Sequence, residues 1–268
     1  MSGFLLPVSA HFLIRPFAAA AFALLTLPAL AGVKAVATYG VSLGGTSIAS
    51  VSISLTDSGE RYSMGLNARI TGLAQLVTNG SIKADSAGAS TPAGLVSEKF
   101  DMRTRSGDVD YTVDLAFAKK EVTQFIVTPP IINNIDRVAL ERRHLHGVND
   151  ILAALVVRGG ALDAGLCKRR EQVFTGTERF NLTMSFARME EATSKRTGYQ
   201  GPLVLCNVAY APVSGHYTTS EFTNYLKGQG RILIWYAPLN EAGYFIPYRA
   251  LISTSAGDLS VVLDKLEQ

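Results

Sequence analysis

The stretch from Ala35 to Ile70, AVATYGVSLGGTSIASVSISLTDSGERYSMGLNARI, decides the fold class. Its apolar residues recur at every second position, the period of strands that bury one face. Ala35, Ala37, Tyr39, Val41 and Leu43 share one side, and Val36, Thr38, Gly40 and Ser42 the other. Gly44-Gly45 is a two-residue hairpin signal. The next run sets Ala49, Val51, Ile53 and Leu55 against Ile48, Ser50, Ser52 and Ser54, until Asp57-Ser58-Gly59 turns the chain. Tyr62, Met64, Leu66, Ala68 and Ile70 line one side of a third strand. Three strands joined by tight turns form a meander, which is antiparallel.

The same period continues downstream, through NGSIKAD, GLVSEKFDMRTRS, VDYTVDLAFA and EVTQFIVTPP. It resumes after Cys167 in EQVFTG, TERFNLTMSFARM, GPLVLCNVAYAP, RILIWYAPL, GYFIPYRALISTSAG and DLSVVLDKL. These runs are separated by Gly, Pro, Asn and Asp turns. Two stretches break the pattern. RITGLAQLVTNG has room for a short helical turn around Leu73–Val77. GVNDILAALVVRGG reads as a helix capped by Asn149 or Asp150 and stopped by Gly159-Gly160. The expected fold is all-β and mainly antiparallel. It is a large curled sheet or open barrel of roughly a dozen strands with one covering helix, because a sheet of that size rarely stays open.

The first residues point to export. Arg15 is the only charge before Lys34; the apolar run AAAAFALLTL follows it, and Ala29-Leu30-Ala31 supplies small residues at a cleavage site. This is the layout of a secretory signal peptide. Its core, Phe17 to Leu27, is short of the roughly 20 residues that a bilayer span needs. Residues 1–31 are therefore expected to be a cleaved signal, and 32–268 a single β domain with a sub-boundary, if any, in the loose stretch 133–143. The mature chain is expected to carry no transmembrane span and to be exported to an oxidising space.

The formal net charge of the whole chain is +3, and Arg15 leaves with the signal. So small a charge, spread along the chain, gives no reason to expect nucleic acid as a partner.

Cys167 and Cys206 are the only cysteines. In an exported chain, two cysteines point to one disulfide. The bridge would close a loop of about 40 residues and constrain the unfolded chain by roughly 3–4 kcal/mol. Two other readings stand beside it: a buried free thiol, and a reactive Cys167 thiolate favoured by Lys168-Arg169-Arg170. Cys206 alternates with Val204, Val208 and Tyr210, so it is expected to point inward.

Signals for catalysis or metal binding are weak. On a strand, His144 and His146 would lie on one face about 7 Å apart. With His216 or Asp150 they could accept zinc or support a hydrolase, although no fixed-spacing signature accompanies them. No G-x-S-x-G elbow or phosphate-binding glycine pattern occurs. The expectation is a non-enzymatic protein without cofactor or metal. An aromatic-rich C-terminal run either packs the core or lines a groove. Tyr210, Trp235, Tyr236 and Phe245 are the candidate ligand-lining residues. Trp235 and Tyr236 face opposite sides of one strand, so at most one of them lines the interior.

Four stretches resemble a proteobacterial envelope family, domain of unknown function 3108. They are HLHGVNDILAAL, Cys167 with VFTGTERFNLTMSF, YQGPLVLCNVAYAPVSGHY, and IWYAPLNEAGYFIPYRALISTSAGDLSVVL. Ile151 stands where the family places a proline after the helix-start Asp. The resemblance implies an exported, disulfide-bearing, mostly antiparallel β protein located in the periplasm, and it supplies no catalytic residue. The function expected from all this is binding of a lipid, a glycan or another envelope protein in a cupped sheet. A histidine-based enzyme and a purely structural assembly protein are the alternatives.

Overall fold

The computed structural model describes residues 32–76, 79–228, 230–240 and 243–268, together with Met1 and Gly3. The proposed signal segment therefore lies outside the described residues apart from Met1 and Gly3. The opening meander forms β1 (Val33–Leu43), β2 (Thr46–Asp57) and β3 (Arg61–Ile70), with Ala35, Ala37 and Tyr39 buried on the predicted face. A 3-10 turn follows over Gly72–Leu76. Four more strands continue the meander: β4 (Gly80–Thr91), β5 (Gly94–Ser106), β6 (Val109–Ala118) and β7 (Glu121–Thr128).

The second half begins with helix α1 (Ile151–Leu155), the two-residue β8 (Val157–Arg158) and a 3-10 turn over Ala164–Cys167. Then come β9 (Arg170–Phe174), β10 (Arg179–Ala192), β11 (Gly201–Ser214) and helix α2 (Glu221–Gly228). The last strands are β12 (Ile232–Pro238), β13 (Tyr244–Thr254) and β14 (Gly257–Glu267). The fold is thus all-β and antiparallel, with fourteen strands and two short helices among the described residues.

All fourteen strands belong to one sheet. Its order is β7-β6-β5-β4-β3-β2-β1-β14-β13-β12-β11-β10-β9, with β8 paired separately to β13. The halves of the chain meet where β1 pairs with β14, from Val36 opposite Glu267 to Leu43 opposite Leu259. Laid flat, the thirteen strands of this path would hold β7 and β9 roughly 58 Å apart at about 4.8 Å per interval. Instead the rings of Phe125 on β7 and Phe174 on β9 meet edge to face at 5.6 Å. The sheet is therefore curled until its two ends touch.

The ends do not pair with each other. A strap, residues 146–149, runs between them and bonds to both. His146 bridges to Glu121, and the Val148 N–H donates to the Lys120 carbonyl at 3.0 Å. On the other side, Asn149 N–H donates to Gln172 O at 2.9 Å and Phe174 N–H to Asn149 O at 3.0 Å. Edge groups that would otherwise lack partners are satisfied in this way.

Several expectations need correction. The helix predicted to reach Gly159-Gly160 is only five residues long. Val156 already has extended dihedrals, and Val157 and Arg158 pair with Phe245 and Tyr244 of β13. Two β-branched valines beside an open strand edge favour the ladder over another helical turn. Gly159 and Gly160 both have positive φ, and a Cβ on Gly159 would lie 2.6 Å from the Pro92 carbonyl oxygen, so only glycine fits there. A second helix, α2, is present where the sequence leads us to expect no helix. Ser220 caps it, its Oγ accepting the Thr223 N–H at 3.2 Å. The His144-Leu145-His146 stretch is not a strand: a 3-10 turn over Arg142–Leu145 carries His144 back to Glu141. The 133–143 stretch is pinned rather than loose. Arg137 donates to the carbonyls of Gly215 at 2.6 Å and Thr177 at 2.7 Å and stacks on Tyr217.

Candidate functional site

The curled sheet encloses an apolar cavity of about 440 Å3. Its lining comes from strand faces far apart in sequence: Ala37 and Tyr39 of β1, Ile53 of β2, Leu182 of β10, Tyr210 of β11 and Ala250 of β13. Cross-strand pairs bring these positions together on one face, as with Leu182 opposite Tyr210 and Ile53 opposite Ala37. Helix α1 forms one wall through Ile151, Leu152 and Leu155. Helix α2 covers another part, with Leu226 buried and Phe222 half-exposed.

Asp150 holds α1 in place. Its Oδ1 caps the helix, accepting the N–H groups of Leu152 at 2.8 Å and Ala153 at 3.0 Å. Its Oδ2 accepts the hydroxyls of Ser97 at 2.6 Å and Ser86 at 2.7 Å. Ser86 also shares a hydrogen bond with the Tyr62 hydroxyl at 3.0 Å. Burial pushes the Asp150 carboxyl above its ordinary value, against the pull of these four donors. The neighbouring Asn149 side chain accepts the Ser97 N–H and donates to the Leu95 carbonyl. The Asn149-Asp150 pair thus ties the closing strap and the cavity wall to β5.

Polar groups are few in the cavity itself. Among the described residues, Glu178 is the one charged side chain in the lining. The Tyr210 ring leans on Phe180 at 5.3 Å, and burial pushes its phenol up to about 12, with the Glu178 charge adding to the effect. Tyr39 is raised as well, by burial first and by Tyr236 second. Neither phenol ionises near neutral pH, so the tyrosines present hydroxyls rather than charge. The chamber can accept an apolar body with one or two polar points.

Of the four aromatic residues singled out in the sequence, only Tyr210 lines this cavity. Trp235 and Tyr236 do fall into different packed clusters. Trp235 lies under the Arg249 guanidinium, 5.0 Å from its ring centre, and donates its indole N–H to Glu190 at 2.7 Å. Tyr236 is fully buried against Met184, and Phe245 packs in the same cluster. Tyr39, Phe180 and Phe222 were not singled out, although Tyr39 sits on the buried face of the opening meander.

Cys167 and Cys206 are disulfide-bonded, with their Cα atoms 5.5 Å apart and both side chains fully buried. The bond fastens the turn before β9 onto β11, two residues from the cavity-lining Val208.

The histidines are dispersed among separate contacts. His144 Nδ1 accepts the Glu141 N–H, His146 lies 3.5 Å from Glu121, and the His216 carbonyl accepts the Val138 N–H. Among the described residues, no three His, Cys, Asp or Glu side chains are grouped to hold a metal ion. Among the described residues, no helix is long and apolar enough to cross a membrane.

Comparison with solved structures finds a crystal structure of a beta-barrel-like protein of domain of unknown function DUF1849 from Brucella abortus. It is 13% identical, covers 88% of this chain and 97% of that one, and has a TM-score of 0.49. MucB in complex with MucA(peri) is 10% identical, with 87% and 88% of the two chains covered and a TM-score of 0.15. No curated protein matches the chain. A family model, "Protein of unknown function (DUF3108)", matches residues 38–264, and the chain belongs to that family.

Proposed function

We propose that this protein is a non-enzymatic component of the cell envelope that holds the acyl portion of a lipid inside its curled sheet. The observation that carries the reading is the apolar lining of the 440 Å3 cavity, with Glu178 as its one charged group among the described residues. That volume is in the range of small-molecule sites, roughly 300–1,000 Å3. Each methylene moved from water into such a lining contributes about 0.8 kcal/mol. A glycan is a poorer occupant. Each of its hydroxyls buried without a partner costs about 1–3 kcal/mol, and the lining has few groups to answer them.

The periplasmic location rests on the signal-like start of the chain and on the buried disulfide, which suits an oxidising compartment. The test is mass spectrometry of lipids extracted from protein purified out of its native envelope, beside binding of a fluorescent fatty acid to the delipidated protein. Saturable uptake, abolished by filling the chamber with Ala250→Trp, is the expected result. Absence of lipid from the native extract together with no saturable uptake would overturn the reading.

A further inference from the structure

Among the described residues, Met1 apart, the most exposed large apolar side chains are Ile132, Ile135, Val109 and Phe222, at 88, 77, 61 and 52%. Exposed apolar residues scattered singly are ordinary, but these four gather at one end of the sheet. The register defines that end. Leu43 pairs there with Thr46 and Leu259, Ser106 with Val109, and Thr254 with Gly257. Thr128 lies opposite Thr112, so β7 also finishes there and delivers the 129–137 segment that holds both isoleucines. Arg179 opposite Ser214 brings β11 to the same end, from which the chain enters α2 and Phe222.

The two isoleucines are held outward on a fixed base. Asn133 Oδ1 accepts the Ile135 N–H at 3.2 Å, and the Asn134 carbonyl accepts the Arg137 N–H at 3.3 Å, which closes a turn. The Tyr217 hydroxyl donates to the Asn133 carbonyl at 2.9 Å, and the Thr218 N–H to the Asp136 carbonyl at 2.7 Å. A cleft of about 520 Å3 lies beside this turn, lined by Ile131 and Leu140 of the segment and by Phe125 and Val127 of β7. Neither Ile132 nor Ile135 lines it, so apolar space next to them is left to others while they face solvent.

The arrangement says what covers these side chains. A protein partner needs about 800 Å2 of continuous, complementary surface. Here the apolar tips stand on separate turns, flanked by the polar Asp108, Asn133, Asn134 and Glu221. A bilayer requires no such fit, because each tip enters the acyl region independently. Phe222 belongs both to the exposed set and to the lining of the apolar chamber, so this is the end at which the chamber comes to the surface. Charges at this end are paired, Arg105 with Asp110 and Arg231 with Asp258. Apolar insertion, rather than attraction to anionic headgroups, therefore drives the contact.

We propose that this end of the sheet docks on the surface of a lipid bilayer, with Ile132 and Ile135 as the main anchors and Val109 and Phe222 beside them. Docked in this way, α2 faces the membrane, and an acyl chain passes between bilayer and chamber without crossing water. The purpose of the docking rests on the lipid-holding reading, but the docking itself is measured with the chamber empty.

The test is flotation of the folded protein, purified from its native envelope and freed of lipid, with vesicles of phosphatidylcholine and, separately, of phosphatidylcholine with phosphatidylglycerol. The variant is Ile132→Asn with Ile135→Asn. Met189→Asn, an exposed apolar residue on β10 in the half that leads away from this end, is the control. Partition into both vesicles, weakened roughly tenfold or more by the double variant and unchanged by the control, is the expected result. Uptake of a soluble fluorescent fatty acid should be the same in the double variant and the wild type. Loss of that uptake from the wild type would defeat the chamber reading and leave the vesicle result standing. No partition into either vesicle, or equal partition of wild type and double variant, overturns the proposal. So does binding that requires phosphatidylglycerol and vanishes in salt, or self-association abolished by the double variant in the absence of vesicle binding.

Discussion

Ser97 and Asp150 bond each other twice: the Ser97 hydroxyl donates to Asp150 Oδ2 at 2.6 Å, and the Asp150 N–H donates back to Ser97 Oγ at 2.9 Å. The pair joins residues 53 positions apart and fixes the start of α1 against β5. Asp150→Ala removes a helix cap worth about 1 kcal/mol and takes the acceptor from the Ser97 and Ser86 hydroxyls, at about 1–3 kcal/mol each. A loss of roughly 3–5 kcal/mol in a urea melt is expected. A loss below about 1 kcal/mol would mean that α1 does not depend on this anchor.

The same carboxyl gives a pH signature. Burial raises its value in the folded chain, so the folded state holds the proton more tightly than the unfolded state. The stability it contributes is fully present below the ordinary carboxylate pKa of about 4 and is lost as pH rises through the raised value. The wild-type urea midpoint should therefore fall more steeply than that of Asp150→Asn between pH 4 and neutrality. The difference between the two curves isolates this group from the other carboxylates.

Replacing Cys167 and Cys206 together by serine should cost roughly 4 kcal/mol. On the chain-entropy model this follows from the 39-residue separation that the bond spans. Equilibrium melts of the double variant and the oxidised wild type provide the measurement. Because both sulfurs are fully buried, the native bond should also resist mild reductant until denaturant is added.

Gly215 and Gly107 make a matched pair. Both have positive φ, but a Cβ on Gly215 would lie 1.9 Å from the Thr177 carbonyl oxygen, whereas one on Gly107 meets open space. Gly107→Ala should cost about 1 kcal/mol for the backbone alone. Gly215→Ala adds a clash and should cost roughly 2–4 kcal/mol. Equal losses in thermal melts would contradict the close packing of the turn before β10 onto the end of β11.

Phe222 is 52% exposed yet lines the cavity from α2. Phe222→Ala should change stability by less than about 0.5 kcal/mol, as surface substitutions do. It should also speed release of a bound fatty-acid probe several-fold in stopped-flow displacement. An unchanged release rate would place the ligand's exit elsewhere.

The strand faces were legible because the meander alternates cleanly and ends in unmistakable turns; Ala35, Ala37 and Tyr39 follow directly. The helix cap was legible as Asn149 or Asp150, because either side chain can accept the first N–H groups of the helix, and the structure selects Asp150. The extent of α1 was not, because Val156 and Val157 answer to the edge of β13, a partner nearly ninety residues away. Helix α2 was hidden because Phe222 and Tyr225 merge with the aromatic run after them, even though Ser220 and Glu221 carry a helix-start signal. The cavity was the least legible feature. Its walls come from β1, β2, β10, β11 and β13, and periodicity says which face is buried but not which buried faces confront one another. Trp235 and Tyr236 show the limit: alternation separated them, but a bulge between them and the Glu190 partner of Trp235 were set by neighbouring strands.

The β1–β14 pairing also dictates an order of assembly. The first strand of the sheet has β2 beside it from the outset, but its other neighbour is the last strand of the sheet in chain order. Until β14 pairs, β1 carries a bare edge, and the contact that joins the halves spans more than two hundred residues. Such long-range closure is slow and leaves the partly folded chain open to mispairing. A holding chaperone that shields the first hairpins before β14 pairs with β1 should therefore raise the yield of folded protein more than one acting after that pairing.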